Sequence, residues 1–283
     1  MKSEVSVLCT CYNHQEYIKL ALDGILQQVV NFDFELIIYD DFSTDNSRDI
    51  IKSVVENYNG NCKIKIIFPE ENQYSKGFSP IPFMLPEVEG RYIAICEGDD
   101  YWIDNDKLQK QYEILQKDKS VDISFHPSLT LYGDEIKDSG YGYIGDKEQV
   151  VDYNRVILKG GGLMPMASIF LRAQPLLDMV SENEDFFKRN FYHSILQTVM
   201  TLGKGAIYCP SKMCVYRSMH EGSWSLQQSL DQKKRDREFK AANQRIWKLN
   251  KIYNNKYCGL FLKLYYKRNI KFYKDKLKSI YKK

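Results

Sequence analysis

Residues 5–10 form a short apolar run that reads as a strand. Apolar positions then recur at helical spacing over 14–28. Residues 34–40 are a nearly continuous apolar run, the pattern of a strand buried on both faces. The polar cluster at 43–47 offers several N-caps ahead of a helix over 48–58. Residues 62–68, 92–96 and 121–125 read as three further strands. Strands and helices that alternate with short connections predict an α/β fold on a parallel, doubly wound sheet. From 127 to 162 the pattern dissolves into a Gly- and Tyr-rich stretch read as loop. Helical spacing returns at 175–180 and 186–202. Short strands follow at 205–208 and 213–216, then a polar, charged helix over 226–253.

The chain has 283 residues, enough for one generous domain or one domain with an appendage. Hydrophobic residues make up 43%, so a large core can form and wholesale disorder is excluded. The 21 Tyr and 14 Phe serve core packing first and ligand stacking second. Cys9, Cys96 and Cys214 sit inside apolar runs and read as small core residues. Cys9 and Cys11 lack a second pair at zinc-site spacing. Free thiols and the lack of a signal core after Met1 point to the cytoplasm. No run approaches the roughly 18–20 apolar residues of a spanning helix.

Charge changes the picture at one place. The formal net charge is +3, yet residues 256–283 carry ten basic residues and one acidic residue, Asp275. The rest of the chain is therefore net negative. A mildly acidic body with a basic end argues against nucleic acid and gives that end a partner of its own. Aromatic and aliphatic residues interleave with the lysines at helical spacing, as in helices that lie on anionic membrane surfaces. A helix packed on the body and a homodimer contact are the alternatives.

In open α/β sheets ligands bind beyond the carboxyl ends of the strands. The first strand is followed by Thr10, Cys11, Tyr12 and Asn13. Asp40, Asp41 and Asp45 follow the second, and Glu97, Asp99 and Asp100 the fourth. Any one of these acids is an ordinary cap or turn residue. Two acidic clusters at strand ends of one sheet instead suggest a hard divalent cation, Mg2+ or Mn2+, shared with phosphate oxygens. A dinucleotide fold and a phosphate-loop NTPase are excluded, since neither glycine motif is present.

The set Thr10-Cys11-Tyr12-Asn13, a Glu35-led strand running to Asp45, and Glu97-Gly98-Asp99-Asp100-Tyr101-Trp102 resembles family 2 glycosyltransferases of the GT-A fold. The resemblance covers about residues 4–126 and extends weakly to about 225. It implies a catalytic domain over 1–225, with a nucleotide-sugar half (1–126) and an acceptor half (127–225). Residues 226–283 form a helical, basic extension. By resemblance, Thr10, Tyr12, Asn13 and Asp41 line the nucleotide pocket, and Glu97 and Asp99 are metal ligands. Asp100 contacts ribose or sugar, and Trp102 packs beneath the donor or in the core. Glu97 stands where the family usually has Asp.

The segment 216–225 also resembles the end of such catalytic units. That implies His220 at the metal or diphosphate and Arg217 on the leaving nucleotide. The family places an Asp base near 192–193, where this chain has His193. Asp185 is the alternative base. Met164 and Ser168 fall in the segment that borders the acceptor. The implied activity is inverting transfer from a nucleotide-sugar, UDP by resemblance, to a glycan or lipid-linked acceptor in bacterial surface polysaccharide synthesis. The location is the cytoplasm or the inner membrane face. A nucleotidyltransferase and a non-catalytic binding module are the competing readings. The first lacks its Gly-rich basic loop after the first strand.

Overall fold

The computed structural model describes residues 3–220 and 222–280. Glu221 of the 216–225 segment and Tyr281, Lys282 and Lys283 of the basic end lie outside the described residues, as do the side chains of Trp224 and Ile280.

The chain opens as β1 (Val5–Cys11), α1 (Ile18–Leu26), β2 (Phe34–Asp40), α2 (Ser47–Glu56) and β3 (Lys63–Ile67). Helix α1 begins four residues later than its apolar spacing predicts. The backbone N–H groups of Asn13, His14 and Gln15 are taken by Ser43 Oγ, Ser47 Oγ and Asp45 Oδ2 at 2.8–3.0 Å. Asn13 has φ 54°, so this stretch is a loop stitched to the β2–α2 turn. After α3 (Ile81–Met84) come β4 (Tyr92–Glu97), β5 (Tyr101–Trp102), α4 (Lys107–Lys117) and β6 (Ile123–Phe125).

Residues 127–162 are not the loop expected. They form β7 (Ser128–Tyr132), β8 (Glu135–Lys137), β9 (Gln149–Val151) and α5 (Tyr153–Leu158). Their strands are short, and β8 is wholly exposed, so no apolar alternation marks it. Then come β10 (Phe170–Arg172), α6 (Ala173–Glu182), α7 (Glu184–Asn190), α8 (His193–Thr201), β11 (Ala206–Tyr208) and β12 (Cys214–Ser218). The single helix expected over 186–202 is thus two, broken at Phe191 and Tyr192. The charged helix also divides, into α9 (Trp224–Leu230) and α10 (Gln232–Ile252). Asp231 makes the break by capping α10, accepting from Lys234 N at 2.9 Å. Helix α11 (Cys258–Ile280) ends the described chain.

The main sheet runs β3-β2-β1-β4-β10-β6-β11-β9. Its β3-β2-β1-β4 half is parallel, as the sequence predicts. The other half is mixed, because β10 is antiparallel to both β4 and β6, and β9 to β11. Strands from beyond residue 126 therefore complete the first half's sheet. Alternation along the strands splits the core into two layers. Leu8, Ile37, Ile93 and Ile95 face one, while Val7, Cys9, Ile38 and Cys96 face the other. Six of the seven cysteines are buried and all are free.

Glu35 is buried in β2 and ties three elements together. It accepts from Ser6 Oγ at 2.6 Å and from Glu89 N at 2.7 Å, and pairs with Lys65 at 3.1 Å. A second sheet, β5-β12-β7-β8, stands beside the main one. The turn 97–100 is where the chain leaves β4 of the large sheet for β5 of the small one.

Helix α11 returns along α10. Phe272 stacks on Phe239 with ring centroids 3.9 Å apart, and Lys276 pairs with Asp236 at 2.9 Å. Phe261 and Leu264 are buried in the main core. No described helix is long and apolar enough to cross a membrane.

Candidate active site

The ends of β1, β2 and β4 lie side by side, with Thr10 in register with Tyr39 and Glu97. The loops beyond them are held by their own polar side chains. Asp40 is buried and grips Arg48 Nε at 2.7 Å and the Ser43 backbone and hydroxyl. Asp45 binds the backbone N–H groups of Gln15 and Ser47. These two acids are the turn and cap residues that a single Asp ordinarily is.

Asn13 lends its side-chain oxygen to Thr44 N at 2.8 Å, so it staples the loop. Asp41 accepts from the backbone N–H groups of Gln73 at 2.8 Å and Tyr74 at 2.9 Å. Burial raises its pKa above the usual carboxylate value, against those hydrogen bonds. Tyr12, just beyond β1, is 46% exposed.

The 97–100 turn is built around Gly98. Its N–H donates to Thr10 O at 2.8 Å. A Cβ there would meet Ile18 Cδ1 at 2.9 Å and both His14 Nδ1 and Thr10 O at 3.0 Å. Only glycine lets the turn sit this close to β1, which leaves Glu97 and Asp99 partly exposed at the mouth. His220 Nε2 stands 3.0 Å from Asp99 Oδ2. Burial works against ionised Asp99, but the His220 hydrogen bond and the His14 and His220 charges outweigh it and lower its pKa. His193 Nε2 stands 3.3 Å from Glu97 Oε1. Its side chain is half exposed; desolvation opposes the charged imidazole, yet the Glu97 charge and hydrogen bond prevail and raise the His193 pKa.

Several expected ligand contacts turn inward instead. Asp100 is buried and accepts from the backbone N–H of Arg217 at 2.9 Å, so it faces β12 rather than a sugar. Burial and the charges of Asp99 and Glu97 push its pKa well up. Arg217 donates from Nε to the Asp99 carbonyl at 2.9 Å, and its guanidinium lies 4.2 Å over the Tyr17 ring. It positions the acidic turn. Trp102 is a core residue, donating to Ala167 O at 2.9 Å.

Met164 and Ser168 are fully buried, a correction to their acceptor-facing role. Gln197 Nε2 binds Met164 O, Gln111 Nε2 binds Ser168 O, and Ser168 Oγ is spent on Pro165 O. These anchors draw the segment beneath the surface. Asp185 opens onto a different hollow, shared with Lys248 and Lys251. His193, not Asp185, joins the Glu97–Asp99 turn.

The sequence reading missed His14 and Tyr17. His14 Nδ1 is buried beside Gly98, and the Tyr17 ring sits 4.9 Å from that of His220. The only signal was their place just after a strand-end motif.

Among the described residues no three carboxylate, imidazole or thiolate groups form a ready metal cage. The donors still fit a hard cation. Mg2+ or Mn2+ needs only one or two protein carboxylates when phosphate oxygens complete the shell. Glu97 and Asp99 supply two at one partly exposed turn.

A family model described as glycosyl transferase family 2 matches residues 6–141, the segment that holds all three strand-end clusters. Residues 6–141 belong to glycosyltransferase family 2. An uncharacterized Mycobacterium tuberculosis protein is 31% identical over 221 residues, covering 78% of this chain and 60% of that one. The putative teichuronic acid biosynthesis glycosyltransferase TuaG of Bacillus subtilis is 35% identical over 124 residues, 44% of this chain and 46% of its own. The chain thus spans about 60% of the mycobacterial relative and under half of TuaG. S. aureus TarS 1–349, solved with UDP-GlcNAc, superposes with TM-score 0.63 at 17% identity, over 86% of this chain and 66% of that solved chain. The Pyrobaculum calidifontis mannosyltransferase PcManGT, solved with GDP-Man and Mn2+, gives 0.57 at 15%, over 94% and 70%. The fold of the chain is GT-A.

Proposed function

We propose that this chain transfers a sugar from a nucleotide-sugar, UDP-linked, to a hydroxyl of a glycan or lipid-linked acceptor, with inversion at the anomeric carbon. The observation that carries the reading is the Glu97–Asp99 turn flanked by His193 on one side and His220 on the other. Relatives support the setting: TuaG is named for teichuronic acid biosynthesis, and an Escherichia coli relative, WfaP, as a glucosyltransferase onto a diphosphoundecaprenol-linked sugar. The setting is bacterial surface polysaccharide assembly in the cytoplasm, with peripheral membrane contact through the basic end.

Thr10 and Tyr12 border the base, and Asp41 holds the 73–74 backbone that closes this side. Glu97 and Asp99 would hold Mg2+ or Mn2+, with His220 steadying Asp99. When bound, the cation acts as a Lewis acid toward the leaving diphosphate. His193 takes the proton from the acceptor hydroxyl. That oxygen attacks the anomeric carbon from the side opposite the nucleoside diphosphate, which departs with the bonding pair. Glu97 orients His193 and stabilises the imidazolium that forms.

Calorimetric titration with UDP, GDP, CMP and dTDP, with and without Mn2+, tests the site. Metal-dependent binding of one nucleotide, lost in Asp99→Ala, is the expected result. A folded protein that binds none of them leaves a non-catalytic module.

A further inference from the structure

Helix α11 carries three rows of side chains on three faces. Residues advance about 100° each along an α-helix. Phe261, Leu264 and Phe272 fall on one side, packed on the core and on Phe239 of α10. Leu262, Tyr266, Ile270, Tyr273 and Leu277 fall on a second, spaced four, four, three and four apart, and all five are exposed. Lys263, Lys267, Lys271, Lys274 and Lys278 form the third, directly beside the apolar row and also exposed. A helix that only packed on the body would need the first row alone. The body already satisfies it, so the apolar row is left facing out.

We propose that α11 docks the protein on an anionic lipid surface, lying in the plane of the interface. The row from Leu262 to Leu277 enters the headgroup–acyl boundary, and the lysine row meets the lipid phosphates. Charge decides the occupant. The helix holds seven basic residues and one acidic, so two copies packed on this face would bring like charges together. An anionic bilayer offers the opposite sign and an apolar layer beneath it. Tyr266 and Tyr273 suit the boundary, with apolar rings and a polar tip. The inference specifies the membrane contact proposed above. It stands or falls apart from the chemistry, because nucleotide binding is read separately.

The 283-residue chain is sedimented with phosphatidylcholine vesicles and with vesicles containing one-third phosphatidylglycerol. Binding to the anionic vesicles only is expected, weakening as salt rises. Tyr266→Ser/Ile270→Ser/Leu277→Ser should bind at least tenfold more weakly, with unchanged circular dichroism and nucleotide affinity. Lys267→Glu/Lys271→Glu/Lys274→Glu should lose the preference for anionic lipid; each lysine near such a surface is worth roughly fivefold. If the triple serine variant misfolds, Ile270→Asp alone gives the same reading. The proposal is overturned if wild type ignores anionic vesicles or if the apolar-row variants bind like wild type. It is also overturned if sedimentation velocity shows a dimer that those variants dissociate, which makes a second copy the occupant.

Discussion

His193 at the start of α8 meets Glu97 at the end of β4, 3.3 Å apart across 96 residues of sequence. The pair joins a candidate base to a carboxylate at the edge of the sheet proposed to bind the nucleotide. His193→Ala should lower kcat about 10²–10⁴-fold and leave nucleotide affinity within twofold. Turnover and calorimetry on the same preparation separate the two. Wild-type turnover in this variant would remove His193 from the chemistry.

Arg217 makes a different kind of contribution. It holds the Asp99 carbonyl and stacks on Tyr17. Lysine keeps the charge but not the planar fork. Arg217→Lys should therefore weaken metal-dependent nucleotide binding about tenfold, through misplacement of Asp99. Unchanged affinity in a folded variant would show that the turn holds its shape alone.

Gly98→Ala should destabilise the fold by about 1–3 kcal/mol, the usual cost of overpacking. The added methyl has no room between Ile18, His14 and Thr10 O. Urea unfolding of wild type and variant measures this, and equal midpoints would contradict the packing described.

Buried thiols set an alkaline limit. Burial raises the pKa of Cys9 and of Cys62 to about 12, well above the usual 9 of a thiol in the unfolded chain. A group whose folded pKa is raised contributes stability fully below the unfolded value and loses it as pH climbs to the folded one. Stability should thus fall steadily between pH 9 and 12. Cys9→Ala should make that fall shallower by about 1.4 kcal/mol per pH unit, as read from chemical unfolding at stepped pH.

The parallel half of the sheet was legible because β1, β2 and β4 are buried runs with little polar content. The acidic turns were legible because charge so close to such runs needs a reason. What escaped was set by distance. Nothing local to Asp100 says that its carboxylate will be claimed by the Arg217 backbone 117 residues on. Nothing local to Met164 and Ser168 says that Gln197 and Gln111 will pull their backbone inside. Strands β7 to β9 are three to five residues long and exist by pairing, not by pattern. Helix α11 was legible as amphipathic, but which row faces the body depended on α10.

The acidic turn between β4 and β5 is finished from far along the chain, since Arg217 and His220 reach it from and just beyond β12. This edge of the sheet cannot be completed early in synthesis. While the ribosome has released only the first 126 residues, Glu97 and Asp99 stand without the groups that aim and steady them. A chain cut at residue 126 lacks Arg217 and His220, and with them their contacts to the Asp99 turn. The acidic turn is complete only once the chain as far as His220 has been made and has folded against it.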